Sequence, residues 1–250
     1  MFRSRIIPVL LMKDGDLVKS KRFKNYRYIG DPINAIKLFN DLKVDELVLL
    51  DIGASIEKRL IDINFVKKLG EETNMPFSVG GGIRTLDDIQ RILAAGAEKV
   101  VINSYALINP DFIKEAAENF GSSSIVVCID IKNRLFSSPR VCAYNGKKNY
   151  PYTPSDFARL MENNGAGEVI IQSIQNDGMM SGYDLDLIKE ISSILTIPVI
   201  PLGGAGNSEH LIEAVEKGFA SAVAAGSLFV FHGKDSGVLI NYPEKIDFVF

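Results

Sequence analysis

Residues 75–104 read MPFSVGGGIRTLDDIQRILAAGAEKVVINS, and the fold follows from their pattern. A short, mostly apolar run at 77–79 stops at Gly80, Gly81 and Gly82. Apolar residues then recur at helical spacing as Leu86, Ile89, Ile92 and Leu93. A second apolar run, Val100, Val101 and Ile102, follows Gly96 and ends at Asn103 and Ser104, so the stretch spells strand, glycine turn, helix, strand. Glycines after a strand let backbone N–H groups approach an anion closely, because no Cβ stands in the way; one such run is equally a plain tight turn.

A second copy changes that balance. Val199, Ile200, Pro201 and Leu202 run into Gly203, Gly204, Ala205 and Gly206, helical spacing follows through Leu211, Ile212 and Val215, and residues 222–225 run into Gly226 and Ser227. The same offset of roughly 120 residues relates ELVLLD at 46–51 to EVIIQ at 168–172, and RIIPVLLMK at 5–13 to IVVCIDIK at 125–132. Each half then holds four strand-helix units. The expectation is an α/β chain folded as a (β/α)8 TIM barrel with an internal two-fold half-barrel repeat, in one domain over residues 1–250. Near-continuous Val/Ile/Leu strands need helices covering them outside, which a closed parallel barrel supplies.

Composition narrows the function classes. With 46% hydrophobic residues in 250, the chain can bury a large core. Its net charge of −3 and lack of a Lys/Arg block argue against a nucleic-acid surface. Two cysteines, Cys128 and Cys142, and two histidines give neither a disulfide framework nor a metal centre, and no cofactor is expected. The apolar N-terminal run is cut off by Lys13 and Asp14 before signal-peptide or membrane-span length, so a cytoplasmic protein is expected.

In chain order, the first strand covers residues 6–12. Residues 13–30 form a long basic and aromatic segment (Lys19, Lys21, Arg22, Phe23, Tyr26, Tyr28), which suits a mobile loop closing over an anionic substrate, or else a solvated excursion. Asp31-Pro32 reads as N-cap and first helical position. A strand at 47–52, a helix at 57–72, a helix opening at Asn109-Pro110 and a strand at 125–131 follow. Tyr144-Asn145-Gly146 marks a hairpin turn in an excursion over 132–153, Pro154 opens a helix, and a loop at 177–182 precedes the helix from Leu185. The last helix, after Ser227, is poorly marked, and the tail at 241–250 has no readable fate.

In such a barrel the strand C-termini share one face, where sites are built. Neighbouring strands three and four (Gly82, Asn103, Ser104) and seven and eight (Gly204, Gly226, Ser227) would form two anion sites on opposite sides of the mouth. A ligand with a phosphate at each end fits them. Asp130, near the end of an apolar strand, is a candidate acid or base, because an unpaired carboxylate is costly to bury there. Asp51 and Asp177 are candidates too, although either could cap a helix or brace a loop. At the opposite face Arg5, Glu46, Lys99 and Glu168 each precede an apolar strand run, which suits a closing set of salt bridges or a gate.

These segments together resemble the cyclase subunit of imidazole glycerol phosphate synthase, the ammonia-using half of a glutamine amidotransferase of histidine biosynthesis. RIIPVLLMKDG, DELVLLDIGAS, PFSVGGGIR, KVVINS, VVCIDIK, GAGEVIIQSIQNDGMMSGYD and GGAG carry the likeness across essentially every strand. The resemblance implies that Asp130 is one of two catalytic carboxylates and Lys19 a substrate-loop lysine. It assigns Gly82, Asn103, Ser104, Asp177, Gly178, Gly204, Gly226 and Ser227 to two phosphate sites. Arg5, Glu46, Lys99 and Glu168 become a gate for ammonia from a glutaminase docked at the N-terminal barrel face.

One departure stands out. The family's second catalytic carboxylate ends strand one in a Pro-Cys-Leu-Asp run, whereas this chain has Pro8-Val9-Leu10-Leu11. Leucine transfers no proton, and general acid-base help contributes on the order of 10²–10⁴ in rate. Gln172 also replaces a threonine and Asn145 a serine. Three readings result. The first is a paralogue that carries ammonia for nitrogen transfer to a sugar, making an acetamidino group in surface polysaccharide synthesis, with a sugar amidotransferase as further partner. The second is a genuine histidine-pathway cyclase in which Asp51 or Asp14 substitutes. The third is a non-catalytic barrel that binds a phosphorylated metabolite.

Overall fold

The structure is a computed structural model that describes residues 4–134, 137–233, 237–243, 246 and 248. Its barrel strands are β1 (Arg5–Lys13), β2 (Leu47–Asp51), β3 (Phe77–Gly80), β4 (Lys99–Ile102), β5 (Ile125–Arg134), β6 (Glu168–Ser173), β7 (Val199–Leu202) and β8 (Ala222–Ala225). Each pairs in parallel with the next from β1 to β7, and β8 returns to β1 with Arg5 opposite Ala222 and Pro8 opposite Ala225. Across the remaining seam Ser221 N–H donates to the Val199 carbonyl at 3.1 Å. The result is a (β/α)8 barrel, as the repeat predicts.

Strand alternation sorts the core into two layers. Ile6, Leu10, Leu47, Leu49, Val100, Val127 and Ile129 face outward into one cluster with the helices, while Ile7, Val9, Val48, Val101, Val126, Cys128, Ile170 and Ile200 fill the barrel. Both faces of every strand are therefore buried, which is why the strands read as continuous apolar runs. Local signals set the helices. Asp31 accepts from Asn34 N–H at 2.8 Å to start helix Pro32–Asp41, and Thr85 and Asp88 close a capping box on helix Leu86–Ala94. Phe39, on the inner face of the first helix, is wholly buried. Phe39→Ala would cost about 3–5 kcal/mol by the cavity it leaves.

The expected helix over 57–72 divides into Ala54–Glu57 and Ile63–Glu72. Asp51 Oδ1 accepts from Gly53 and Ala54 N–H, which starts a helical turn immediately after β2, and Lys58 ends it at φ +58°. Buried Ile61 then donates its N–H to the Gly81 carbonyl at 3.0 Å, and Asp62 caps the second piece. Residues 13–30 are built of strands rather than irregular loop. Strands Asp16–Lys21 and Lys24–Gly30 form an antiparallel hairpin that extends β1, with Leu11 opposite Val18 and Lys13 opposite Asp16. Leu17, Val18, Lys19 and Ser20 are buried under it, while Lys24, Tyr26 and Tyr28 stay exposed.

The second excursion has the expected turn. Strand Ser137–Ala143 pairs with β5 and with Lys148–Asn149, and Tyr144, Asn145 and Gly146 all adopt positive φ. Residues 135 and 136 of that segment lie outside the described residues. After β8 come the short helical turn Ser227–Phe229 and a small antiparallel pair, Phe231–His232 with Gly237–Val238. In the tail, the Tyr242 phenol donates to the Ile6 carbonyl at 3.0 Å, anchoring it beside the start of β1; residues 244, 245, 247, 249 and 250 lie outside the described residues.

Candidate functional site

Inward parity places Arg5, Glu46, Lys99 and Glu168 one layer beneath Ile7, Val48, Val101 and Ile170. The Arg5 guanidinium bonds Glu46 and reaches Glu168 at 2.7 Å. Lys99 Nζ lies 3.1 Å from Glu46 Oε1 and 3.1 Å from Glu168 Oε2, and the Ser78 hydroxyl donates to Glu46 at 3.0 Å. Cations and anions thus alternate around the floor. Burial alone would lower the Arg5 pKa, but Glu168 and Glu46 together raise it.

At the other end, the strand termini and both excursions line a cavity that opens to solvent. It brings together Lys19, Asp51, Gly82, Asn103, Ser104, Asp130, Asp177, Gly178, Gly204, Gly226 and Ser227, every residue that the sequence assigned to the mouth. Asp130 and Gln172 are register partners on β5 and β6 and both are buried. Burial pushes the Asp130 carboxyl up to about 7, and the Asp177 charge acts the same way, while hydrogen bonds from Asn103 and Cys128 pull it back. An acid poised there can hold or release a proton near neutrality. Leu11 is the register partner of Leu50, and the two side chains pack on the inner apolar cluster as one wall of the cavity.

Neither carboxylate considered as a substitute for the missing acid is free. Asp51 shares the outward parity of Leu47 and Leu49, bonds Arg59 Nη1 at 2.5 Å, and accepts from Gly53 and Ala54 N–H. It braces the turn after β2. Asp14 is exposed and pairs with Lys13 at 2.5 Å. Asp177 holds the first hairpin down. It accepts from Ser20 Oγ at 2.6 Å and Phe23 N–H at 3.2 Å, and its own carbonyl accepts from Arg22 N–H at 2.9 Å. Burial raises its pKa, while Ser20, Phe23 and Lys19 counteract.

Lys19 is 4% exposed, and its Nζ donates to the Val9 carbonyl at 2.6 Å. Burial holds its ammonium down to about 8 against the attraction of Asp177. A Cβ on Gly226 would stand 2.5 Å from that Nζ, so glycine is what lets the lysine reach the β8 end. Gly178 has φ +68°, and a Cβ there would come within 2.1 Å of the Ser20 carbonyl oxygen, so this glycine seats the hairpin. Sequence reading missed Ser20 and Arg59. The Asp14-Gly15 turn could have indicated the hairpin that carries Ser20. Nothing local marks Arg59 as the partner of Asp51.

Fold and site together define a (β/α)8 barrel with a cavity at the carboxyl ends of its strands and a closed ring of charges at the other end. Within that class the chain belongs to the histidine biosynthesis protein family, whose model matches residues 5–235, and to its HisF-like cyclase subunits of imidazole glycerol phosphate synthase. It is 44% identical over 244 residues to a Vibrio vulnificus protein provisionally named imidazole glycerol phosphate synthase subunit hisF3, covering 97% of this chain and 94% of the relative. A Pseudomonas aeruginosa protein, provisionally named subunit hisF2, is 44% identical over 249 residues and 99% of both chains. The imidazole glycerol phosphate synthase subunit HisF of Streptococcus sanguinis is 41% identical over 229 residues, covering 92% of this chain and 91% of the relative. Among the described residues no helix is long and apolar enough to cross a membrane, and no cluster of His, Cys, Asp or Glu could hold a metal ion.

Proposed function

We propose that this chain is the ammonia-receiving barrel subunit of a glutamine amidotransferase whose acceptor chemistry has moved away from imidazole glycerol phosphate synthesis. A glutaminase docks at the floor, ammonia passes the ring of Arg5, Glu46, Lys99 and Glu168, and it travels between the inner apolar side chains to the mouth. Asp130 serves there as the single acid or base. The acceptor end is a sugar, amidinated with the help of a sugar amidotransferase. The observation that carries this reading is Leu11 against Leu50 on the cavity wall, with Asp51 tied to Arg59, Asp177 bonded to Ser20 and Phe23 and Asp14 paired at the surface, so that each carboxyl group considered beside Asp130 among the described residues is already engaged. The numbered names hisF3 and hisF2 of two relatives suit a paralogue.

The test is turnover. With the bis-phosphorylated ribonucleotide and excess ammonium, ring closure should run on the order of 10²–10⁴ below an ordinary cyclase. The chain should still stimulate a glutaminase encoded beside it. Ordinary cyclase rates would overturn the reading in favour of a histidine-pathway enzyme, which the 41% identity to a HisF subunit without a numbered name also suits. Failure to stimulate any such glutaminase would leave the binding barrel.

A further inference from the structure

Gln172 shares the inward parity of Ile170 on β6 and lines the cavity one layer above it. It is 5% exposed, and its Nε2 is buried with no hydrogen-bond partner among the described residues. Gly203 makes the room for that amide. Its φ is +92°, and a Cβ built there would stand 2.7 Å from Nε2. A buried donor without an acceptor destabilises the chain that carries it, unless a ligand completes the bond.

The neighbours of Gln172 define what that ligand carries. Its register partner on one side is Asp130 and on the other Leu202. Asp130 accepts from the neutral donors Asn103 and Cys128, and a carboxylate has more lone pairs than these two use. A donor without an acceptor thus stands beside an acceptor with capacity to spare. A ligand hydroxyl satisfies both, because its oxygen accepts from Nε2 while its hydrogen goes to the carboxylate. A carbonyl or ether oxygen would serve Gln172 alone. Leu11, Leu50 and Leu202 line the same cavity and give an apolar surface beside this polar pair. That combination matches a sugar ring, whose C–H faces are apolar and whose edge carries hydroxyls.

We infer that Gln172 is the residue that seats the acceptor: its amide nitrogen donates to a hydroxyl oxygen of a sugar, and Asp130 accepts the hydrogen of that same hydroxyl. The ligand class is a sugar or other polyol, gripped by one hydroxyl at the centre of the mouth between β5 and β7. This rests on the proposed reading of the mouth as a sugar acceptor site, but its test involves neither glutaminase nor turnover, so the two can fail separately.

Without ligand, Gln172→Met keeps the length of the side chain and removes the unbonded amide, so the full chain should melt above the parent by about 2–10 °C in scanning calorimetry. A lower or unchanged melting temperature would show that water or the chain already bonds the amide, and would overturn the inference. In nitrogen-15-labelled parent chain, the Gln172 side-chain amide signals, assigned by through-bond correlation to its backbone, should shift on titration with glycerol as the hydroxyl probe. The titration is run at about pH 8, where Asp130 is ionised. Dimethyl sulfoxide, which accepts a hydrogen bond but donates none, should need a concentration about 2–10-fold higher for the half-maximal shift. Signals indifferent to glycerol, or a sulfoxide as effective as glycerol, would each overturn the shared hydroxyl. The titrations use the unaltered chain, so they stand even if Gln172→Met fails to fold.

Discussion

Arg5, Glu46, Lys99 and Glu168 at the floor of the barrel and Lys19, Asp130 and Asp177 at its mouth are all charged side chains held on or beside the same strands, yet only the floor balances. There each cation touches both anions and each anion both cations. At the mouth Lys19 leans on a carbonyl, Asp130 meets the neutral donors Asn103 and, at 3.9 Å, the Cys128 thiol rather than a cation, and Asp177 is spent on latching a hairpin. Charges that satisfy one another close a structure. Charges held in place without partners mark where a ligand supplies the missing half, and this separates the two ends better than residue type does.

The largest effect should come from giving the mouth what it lacks. Leu11→Asp restores a second carboxyl group to the cavity wall. Ammonium-dependent ring closure of the bis-phosphorylated ribonucleotide should rise on the order of 10²–10⁴-fold in steady-state assays. No rise would show that the mouth no longer holds that substrate productively.

Breaking the balance at the floor comes next. Glu46→Leu leaves Arg5 and Lys99 sharing one carboxylate and should lower unfolding free energy by about 3–5 kcal/mol in urea titrations. A loss under about 1 kcal/mol would mean the ring is already solvated enough to tolerate an unpaired cation.

Asp130 tests the mouth by pH. Its folded-state pKa near 7 exceeds the unfolded value of about 3.9, so the folded chain binds more protons between the two. The stability contribution is fully present below about pH 3.9 and is lost as pH rises through about 7. Asp130→Asn should therefore melt above the parent at about pH 8, by roughly 2–4 °C for each kcal/mol relieved, with the advantage vanishing towards pH 4. A pH-independent difference would show that Asp130 is not penalised by burial.

The smallest effect is at the latch. Ser20→Ala removes one bond to Asp177 and should cost about 1 kcal/mol, read as faster amide exchange over residues 17–23 with the barrel strands unchanged.

Much of this arrangement was legible in the chain. Strand parity alone sends Arg5, Ile7, Val9 and Leu11 inward and Asp51 outward with Leu47 and Leu49, so the floor charges and the apolar wall could be placed from spacing. The hairpin at 16–30 was harder to see, because its buried side, Leu17 to Ser20, carries a lysine and a serine and so looks like a polar loop. The helix expected over 57–72 shows no break in its own pattern. It divides because the Arg59 guanidinium is drawn to Asp51 and the Ile61 N–H to the Gly81 carbonyl, partners on the strand ends rather than in the helix.

The sequence by itself determined the barrel, its duplicated halves, the strand ends that meet at the mouth, and the absence of a carboxyl group at position 11. These depend on periodicity and residue type, which are local quantities. Tertiary structure decided that Asp51 is bound to Arg59, that Asp177 latches a hairpin, that Ser104 and Asn103 are engaged, and that Lys19 is buried with one acceptor. Those outcomes depend on which donor meets which acceptor across strands far apart in the chain, and only the closed barrel brings them within bonding distance.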